Sequence, residues 1–291
     1  MLKKLLLSAL VALGVTATLP AEQGPSAWPR SIKIGIIPVE GGGESKERFE
    51  PLRAHLEKHM AIKVELITAA DYAGVITAME HDHIDFAYFG PKSYVEAHEK
   101  AGAEPIVMEL NADGNPGYTP IMISRKGSGI TTIEEAKGKT FAFTDPNSTS
   151  GCLVPTVVFS RDLKLDPKKY FSDVSFSGSH GASMLAVKNG KVDVAATNDL
   201  DYGRMMEKGA LGKDDLNIIY SANPLPGSPM CAREELPQSL KTAFAGAMML
   251  ANRDKALLAK LGNGGYIPGD DSDYDIIRFL KKVKEENAKK N

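Results

Sequence analysis

Short apolar runs alternate with segments of helical period along this chain, and Pro, Gly or an Asn-Asp pair closes several of the runs. Residues 31–37 read as a strand stopped by Pro38. Residues 48–60 read as a helix with Phe49, Leu52 and Leu56 on one face. Strands at 62–67, 84–89 and 104–110 follow, interleaved with a helix that Asp71 opens and another at 92–102. This rhythm predicts an α/β fold with a mostly parallel sheet covered by helices. After the turn-rich residues 111–116 it resumes, with strands at 118–124, 139–143, 174–176, 192–197 and 216–220. Helices at 236–252 and 274–286 end the chain.

The N-terminus carries a different pattern. Lys3 and Lys4 precede an apolar stretch, residues 5–19, and Pro20-Ala21 leads into polar sequence. That is the form of a secretory signal peptide cut near Ala21, and it predicts a soluble, exported protein. No later run is long and apolar enough to span a bilayer. Removing residues 1–21 takes two lysines and no acid, leaving 33 basic against 37 acidic residues, a charge of −4. Such a chain lacks the general basic surface that nucleic acid requires, so any anion site must be local. The remaining length, about 270 residues, exceeds one typical core and predicts two lobes. Lobe 1 takes residues 30–117 and 232–291, and lobe 2 takes 118–231. The hinge crossings fall near 118–124 and 223–233. Cys152 and Cys231 both fall in lobe 2 on this layout. They either pair in an oxidising compartment or serve as small buried apolar residues.

The most chemically specific segment runs from Thr144 to Gly151. It holds Ser148, Thr149 and Ser150 between a strand and the start of a helix. The first N–H groups of a helix have no internal partner, and the helix dipole is positive there. Three hydroxyl donors added to that terminus suit a tetrahedral oxyanion. The plainer alternative is a simple N-cap by Ser148 or Ser150. Other polar residues also follow strands: Tyr88, Asp145, His180 and the Asn198–Asp201 stretch. Open α/β sheets bind ligands at the carboxyl ends of their strands, so two facing sheets would gather these groups in one cleft. His81-Asp82-His83 shows no third ligand and reads as a solvated turn. Gly41-Gly42-Gly43 lacks the lysine and spacing of a nucleotide loop. Nothing in the sequence calls for a metal or a cofactor.

Taken in order, these pieces resemble the periplasmic phosphonate- and phosphite-binding proteins of ABC transporters. The resemblance rests on Ile34–Pro38, Asp71–Val75, Tyr88–Pro91, Ser148–Gly151, Ser177–His180 and Asp193–Asp199, and it covers nearly the whole mature chain. It implies a type II periplasmic binding protein, two α/β lobes hinged around one small phosphorus oxyanion, that delivers its ligand to an inner-membrane ABC permease. On that resemblance Ser148, Thr149 and Ser150 hold the oxyanion, His180 is the pocket histidine, and Tyr72 and Tyr118 are the pocket tyrosines. Asp201, or Asp199 beside it, matches one of two acids that hold the ammonium of 2-aminoethylphosphonate in some members. The second acid falls near Gly227-Ser228, where this chain has no carboxylate. That departure favours phosphite, methylphosphonate or phosphate. A monomer is expected, because closing lobes must stay free. Two other readings compete: a sensor-type binding protein feeding a membrane receptor, and an exported serine hydrolase built on Ser150, His180 and Asp199 or Asp201. The hydrolase reading lacks the Gly-x-Ser-x-Gly elbow.

Overall fold

The computed structural model describes residues 28–290, and the expected export signal lies outside them. Two sheets organise the chain. In the first, β1 (Ser31–Ile36), β2 (Lys63–Thr68), β3 (Phe86–Tyr88), β4 (Glu104–Leu110), β10 (Pro229–Ala232) and β11 (Gly265–Pro268) stand in the order β11-β4-β10-β3-β1-β2. In the second, β5 (Pro120–Arg125), β6 (Thr140–Phe143), β7 (Asp173–Phe176), β8 (Val194–Asn198) and β9 (Leu216–Ser221) stand in the order β7-β6-β8-β5-β9.

The apolar runs make the interior strands. Phe86, Ala87 and Tyr88 of β3 are all buried, and Phe86 stacks on Phe244 of α8 (Gln238–Leu250) with ring centroids 3.9 Å apart. Helices α1 (Gly42–Met60), α2 (Tyr72–Glu80) and α3 (Pro91–Ala101) separate the strands of the first sheet. In the second, α4 covers residues 149–162 as one continuous helical run, π-wound over Thr149–Leu153 and Val158–Asp162. Short α5 (Pro167–Tyr170), α6 (His180–Lys188) and α7 (Asp199–Glu207) follow, and α10 (Asp275–Lys290) closes the chain.

The expected parallel order holds for β1, β2 and β3 and for β6, β7 and β8. It fails at β5, β10 and β11, which pair antiparallel with their neighbours. The cause is topological for β5 and β10. A chain that leaves one sheet at its ligand-facing edge enters the other from that same edge. The crossing strand must then run against strands that end there.

Two expectations change. β10 hydrogen-bonds between β3 and β4, so Pro229 to Cys231 belong to the first sheet and not with residues 118–228. Cys231 is therefore not beside Cys152 in the second lobe. It sits in β10 while Cys152 sits in α4, and both thiols are buried and free. The C-terminal segment also holds α9 (Lys255–Leu261) and β11, which the sequence reading passed over. Both are too short to establish a period.

The two crossings are tied to each other. The Tyr118 N–H donates to the Leu225 carbonyl at 3.0 Å, and Leu225 returns the bond at 2.9 Å. Gly117 makes this approach possible, because a Cβ there would lie 2.5 Å from the Leu225 oxygen and its φ is +95°. The free, buried cysteines make a simple prediction. Unreduced protein denatured in the presence of an alkylating agent should take up two labels, and added reductant should leave the melting midpoint unchanged. Finding one disulfide by mass would contradict the arrangement.

Candidate functional site

Each of Tyr72, Tyr118, Ser148, Thr149, Ser150, His180 and Asp201 lines one cavity between the two sheets. Its volume is about 20 Å³, far below the several hundred Å³, roughly 300–1,000, of sites that take drug-sized ligands.

The strand-to-helix turns position these groups. Ser148 caps α4, accepting the Gly151 N–H at 3.0 Å. Gly151 has no alternative, since a Cβ there would fall 2.2 Å from Thr144 and 2.8 Å from the Ser148 oxygen. The cap reading of the hydroxyl run holds at Ser148, while Thr149 and Ser150 stand beyond it with their own partners. The Thr149 hydroxyl accepts from the Lys92 N–H of α3 at 2.8 Å, which leaves its proton free to donate into the cavity. The Ser150 hydroxyl accepts weakly from the Asn198 amide at 3.4 Å. The Tyr118 phenol lies against the Thr149 and Ser150 hydroxyls, and burial pushes its pKa up. The Tyr72 hydroxyl is buried with no hydrogen-bond partner in the protein.

His180 opens α6, whose cap is Ser179 accepting from Ala182 at 3.0 Å. Its backbone N–H reaches across the cleft to the Val39 carbonyl at 2.9 Å. Its ring is held from both sides: Nδ1 meets the Thr197 hydroxyl at 3.1 Å and Nε2 meets the Ser148 hydroxyl at 3.3 Å. Burial lowers its pKa, opposed by the carboxylates of Asp201 and Glu40.

Asp201 stands in the first turn of α7, where Asn198 is the cap. One carboxylate oxygen accepts from the Asn198 amide at 2.8 Å, and the other accepts from Arg204 at 3.0 Å. Burial works to raise its pKa, yet His180, Arg204 and Asn198 hold it below the usual carboxylate value. Asp199, the alternative to Asp201, does not line this cavity; it accepts the Thr119 N–H at 2.8 Å beside the first crossing.

Sequence reasoning missed the cationic half of the site. Arg204 lines the cavity, and its guanidinium donates to Asp201, to Glu109 at 2.7 Å and to the Gly262 carbonyl at 3.0 Å. Glu109 in turn accepts from Tyr88 at 2.7 Å and from Asn263 at 2.9 Å. Arg48 lies beside this group, 2.5 Å from Glu40. The available signals were Glu109 inside the apolar residues 106–110 of β4 and an Asp-Arg pair three residues apart in the helix that follows β8. Ser228 also lines the cavity, next to Glu109 in the sheet.

The hydrolase constellation does not assemble. His180 faces Ser148 and Thr197 rather than Ser150, and Asp201 hydrogen-bonds to Arg204 and Asn198 rather than to the histidine. A triad needs a chain of contacts from nucleophile to base to orienting acid.

Comparison with known proteins bears on the same geometry. The family model of ABC-transporter phosphonate periplasmic substrate-binding proteins matches residues 34–274. The chain belongs to that family. It is 30% identical over 263 residues to a phosphonates-binding periplasmic protein of Escherichia coli, covering 88% of this chain and 77% of that one. It is also 30% identical to the phosphate-import protein PhnD of Mycolicibacterium smegmatis, covering 91% and 89%. Among solved structures, the binding component of a Pseudomonas aeruginosa ABC phosphonate transporter superposes with a TM-score of 0.83 at 32% identity, covering 89% and 87% of the two chains. PhnD1 of Prochlorococcus marinus, solved with methylphosphonate, shares the fold at a TM-score of 0.79 and 20% identity, covering 87% and 98%. The family's members are transporter substrate-binding components, and the two-sheet α/β fold is theirs. Among the described residues, no helix is long and apolar enough to cross a membrane.

The tight seat of Gly151 predicts the cost of filling it. Gly151→Ala should destabilise the protein by about 1–3 kcal/mol, the usual cost of overpacking a buried site. A denaturant midpoint equal to wild type would show that the turn relaxes freely.

Proposed function

We propose that the protein captures one small phosphorus oxyanion in the periplasm, by closing its lobes on a hinge at the two crossings, and delivers it to an inner-membrane ABC permease. The observation that carries this reading is the convergence of Ser148, Thr149, Ser150, His180 and two tyrosines on one small cavity at helix starts. Thr149 and Ser150 donate hydroxyl hydrogen bonds to P–O oxygens. The N–H groups of the first turn of α4 and the positive end of its dipole add to them. Tyr72 and Tyr118 supply phenol donors, and Tyr72 has its hydroxyl uncommitted. Bonds from Lys92 to Thr149, Pro146 and Asn147, and from His180 to Val39, support closure, since they join the two halves across the cleft.

Asp201 limits which anion is accepted. A carboxylate on the cavity wall repels a fully ionised ligand but accepts a hydrogen bond from a P–OH. Phosphite and methylphosphonate in their monoprotonated forms fit this best. Phosphate is the second reading, favoured by the mycobacterial relative's name and by its own capacity to keep a proton.

Calorimetric titration of ligand-stripped protein with phosphite, methylphosphonate, phosphate and sulfate tests the proposal. Micromolar or tighter binding of one phosphorus oxyanion, with sulfate excluded, is expected; nothing tighter than millimolar would sink it. Ser150→Ala and His180→Ala should each weaken binding by about 1–3 kcal/mol, the range for charge-assisted hydrogen bonds. Unchanged affinity in both would place the site elsewhere.

Proton linkage gives a second check. Burial lowers the His180 pKa in the empty site, and an adjacent anion raises it. Binding between those two values therefore takes up a proton, and affinity falls as pH rises through the higher one. Titration in buffers of different ionisation enthalpy should detect that uptake after the ligand's own protonation is subtracted. A heat independent of buffer would remove His180 from this role.

A further inference from the structure

We propose that Arg204 is the specificity-determining residue of this cavity: its guanidinium fills a two-carboxylate cation clamp and so excludes phosphorus oxyanions that carry an amino group. This inference rests on the phosphorus-oxyanion reading above and names the ligand class within it. Two buried acids bracket the guanidinium, Asp201 at 3.0 Å and Glu109 at 2.7 Å. Both side chains are almost wholly buried, as is Arg204 itself. Asp201 and the guanidinium line the cavity while Glu109 does not, and two carboxylates facing one cation there are the arrangement that would bind an alkylammonium. Here the cation is supplied by the protein.

The remaining hydrogen bonds fix this arrangement. Arg204 Nε is held by the Gly262 carbonyl at 3.0 Å. The second oxygen of Glu109 is taken by Tyr88, and the second oxygen of Asp201 by Asn198. The neighbouring charges interlock with these: Glu40 is paired with Arg48, which also stands 3.8 Å from Glu109. An incoming ammonium would have to displace Arg204 or lie against its positive charge. A hydrogen, hydroxyl or methyl substituent on phosphorus needs neither. The same guanidinium offsets part of the charge of Asp201 beside the bound anion, which lets a carboxylate line an oxyanion site at all.

The test uses the full mature chain and two probes, methylphosphonate and 2-aminoethylphosphonate, titrated calorimetrically against wild type, Arg204→Met, Arg204→Lys and the double variant Arg204→Met/Glu109→Gln. The ratio of the two affinities is the readout, because a purely structural role would weaken both probes alike. Wild type is expected to favour methylphosphonate. Arg204→Met, which frees Asp201 and leaves Glu109 only its longer 3.8 Å contact with Arg48, should move the ratio toward the amino probe by about tenfold or more, as expected for close buried charge pairs. If that variant fails to fold, the double variant, which removes one charge of each sign and leaves Asp201 free, should move the ratio in the same direction. Arg204→Lys keeps the cation and should keep the preference for methylphosphonate. A ratio unchanged in the folded Met variants, or a wild type that prefers the amino probe, overturns the inference alone. Wild type that binds no phosphorus oxyanion overturns the phosphorus-oxyanion reading and this inference with it.

Discussion

The Arg204 guanidinium, held between Glu109 and Asp201, is the contact on which the rest of the cleft depends. It joins a strand of the first sheet to a helix of the second, directly at the cavity wall. Burying charges is expensive, and mutual attraction repays the cost only where the geometry is close and the other lone pairs are satisfied. Both conditions are met, with Tyr88, Asn263, Asn198 and the Gly262 carbonyl taking up the remaining bonds. The arrangement holds the arginine firmly charged: burial works against it, and Glu109, Tyr88 and Asp201 more than reverse that. The charged part of the site is thus a fixed, interlocked set that cannot reorganise cheaply. The other polar lining groups are hydroxyls, the Asn198 amide and the His180 imidazole.

Those donors come from one repeated device. In the second sheet, strands β6 and β8 each lead to a helix capped by a polar side chain, Ser148 for α4 and Asn198 for α7; Ser179 caps α6 after β7. Every such junction delivers helix N–H groups, a short polar side chain and a positive dipole end to the same edge of the sheet. The first half supplies Tyr72, Tyr88 and the backbone groups of Val39 and Lys92, and Tyr118 stands on the first crossing. A site divided this way is complete only when the halves meet.

Local pattern made much of this legible. Strand runs such as 104–110 and the helix starts at Ser148 and Asp71 carry their signals within a few residues, through alternation, caps and glycines. The hydroxyl run was legible because three donors beside a glycine at a strand end have few other uses. Arg204 was not, because an arginine one turn into an amphipathic helix reads as a solvated surface residue. Only its partner on a strand 95 positions earlier makes it a buried one. The direction of β10 and the seat of Cys231 were hidden for a similar reason. A four-residue apolar strand carries no information about which sheet receives it.

By itself, then, the amino-acid sequence determined the α/β alternation, the capped helix start at Ser148 and the family, since each is written in neighbouring residues or in their order along the chain. The tertiary structure decided the antiparallel crossing strands, the separation of the two cysteines and the ion pairs of Asp201. It also decided that Asp201 and not Asp199 faces the cavity. These depend on contacts between residues far apart in the chain. Burial and partner geometry, which the sequence does not state, govern what a charged side chain does there.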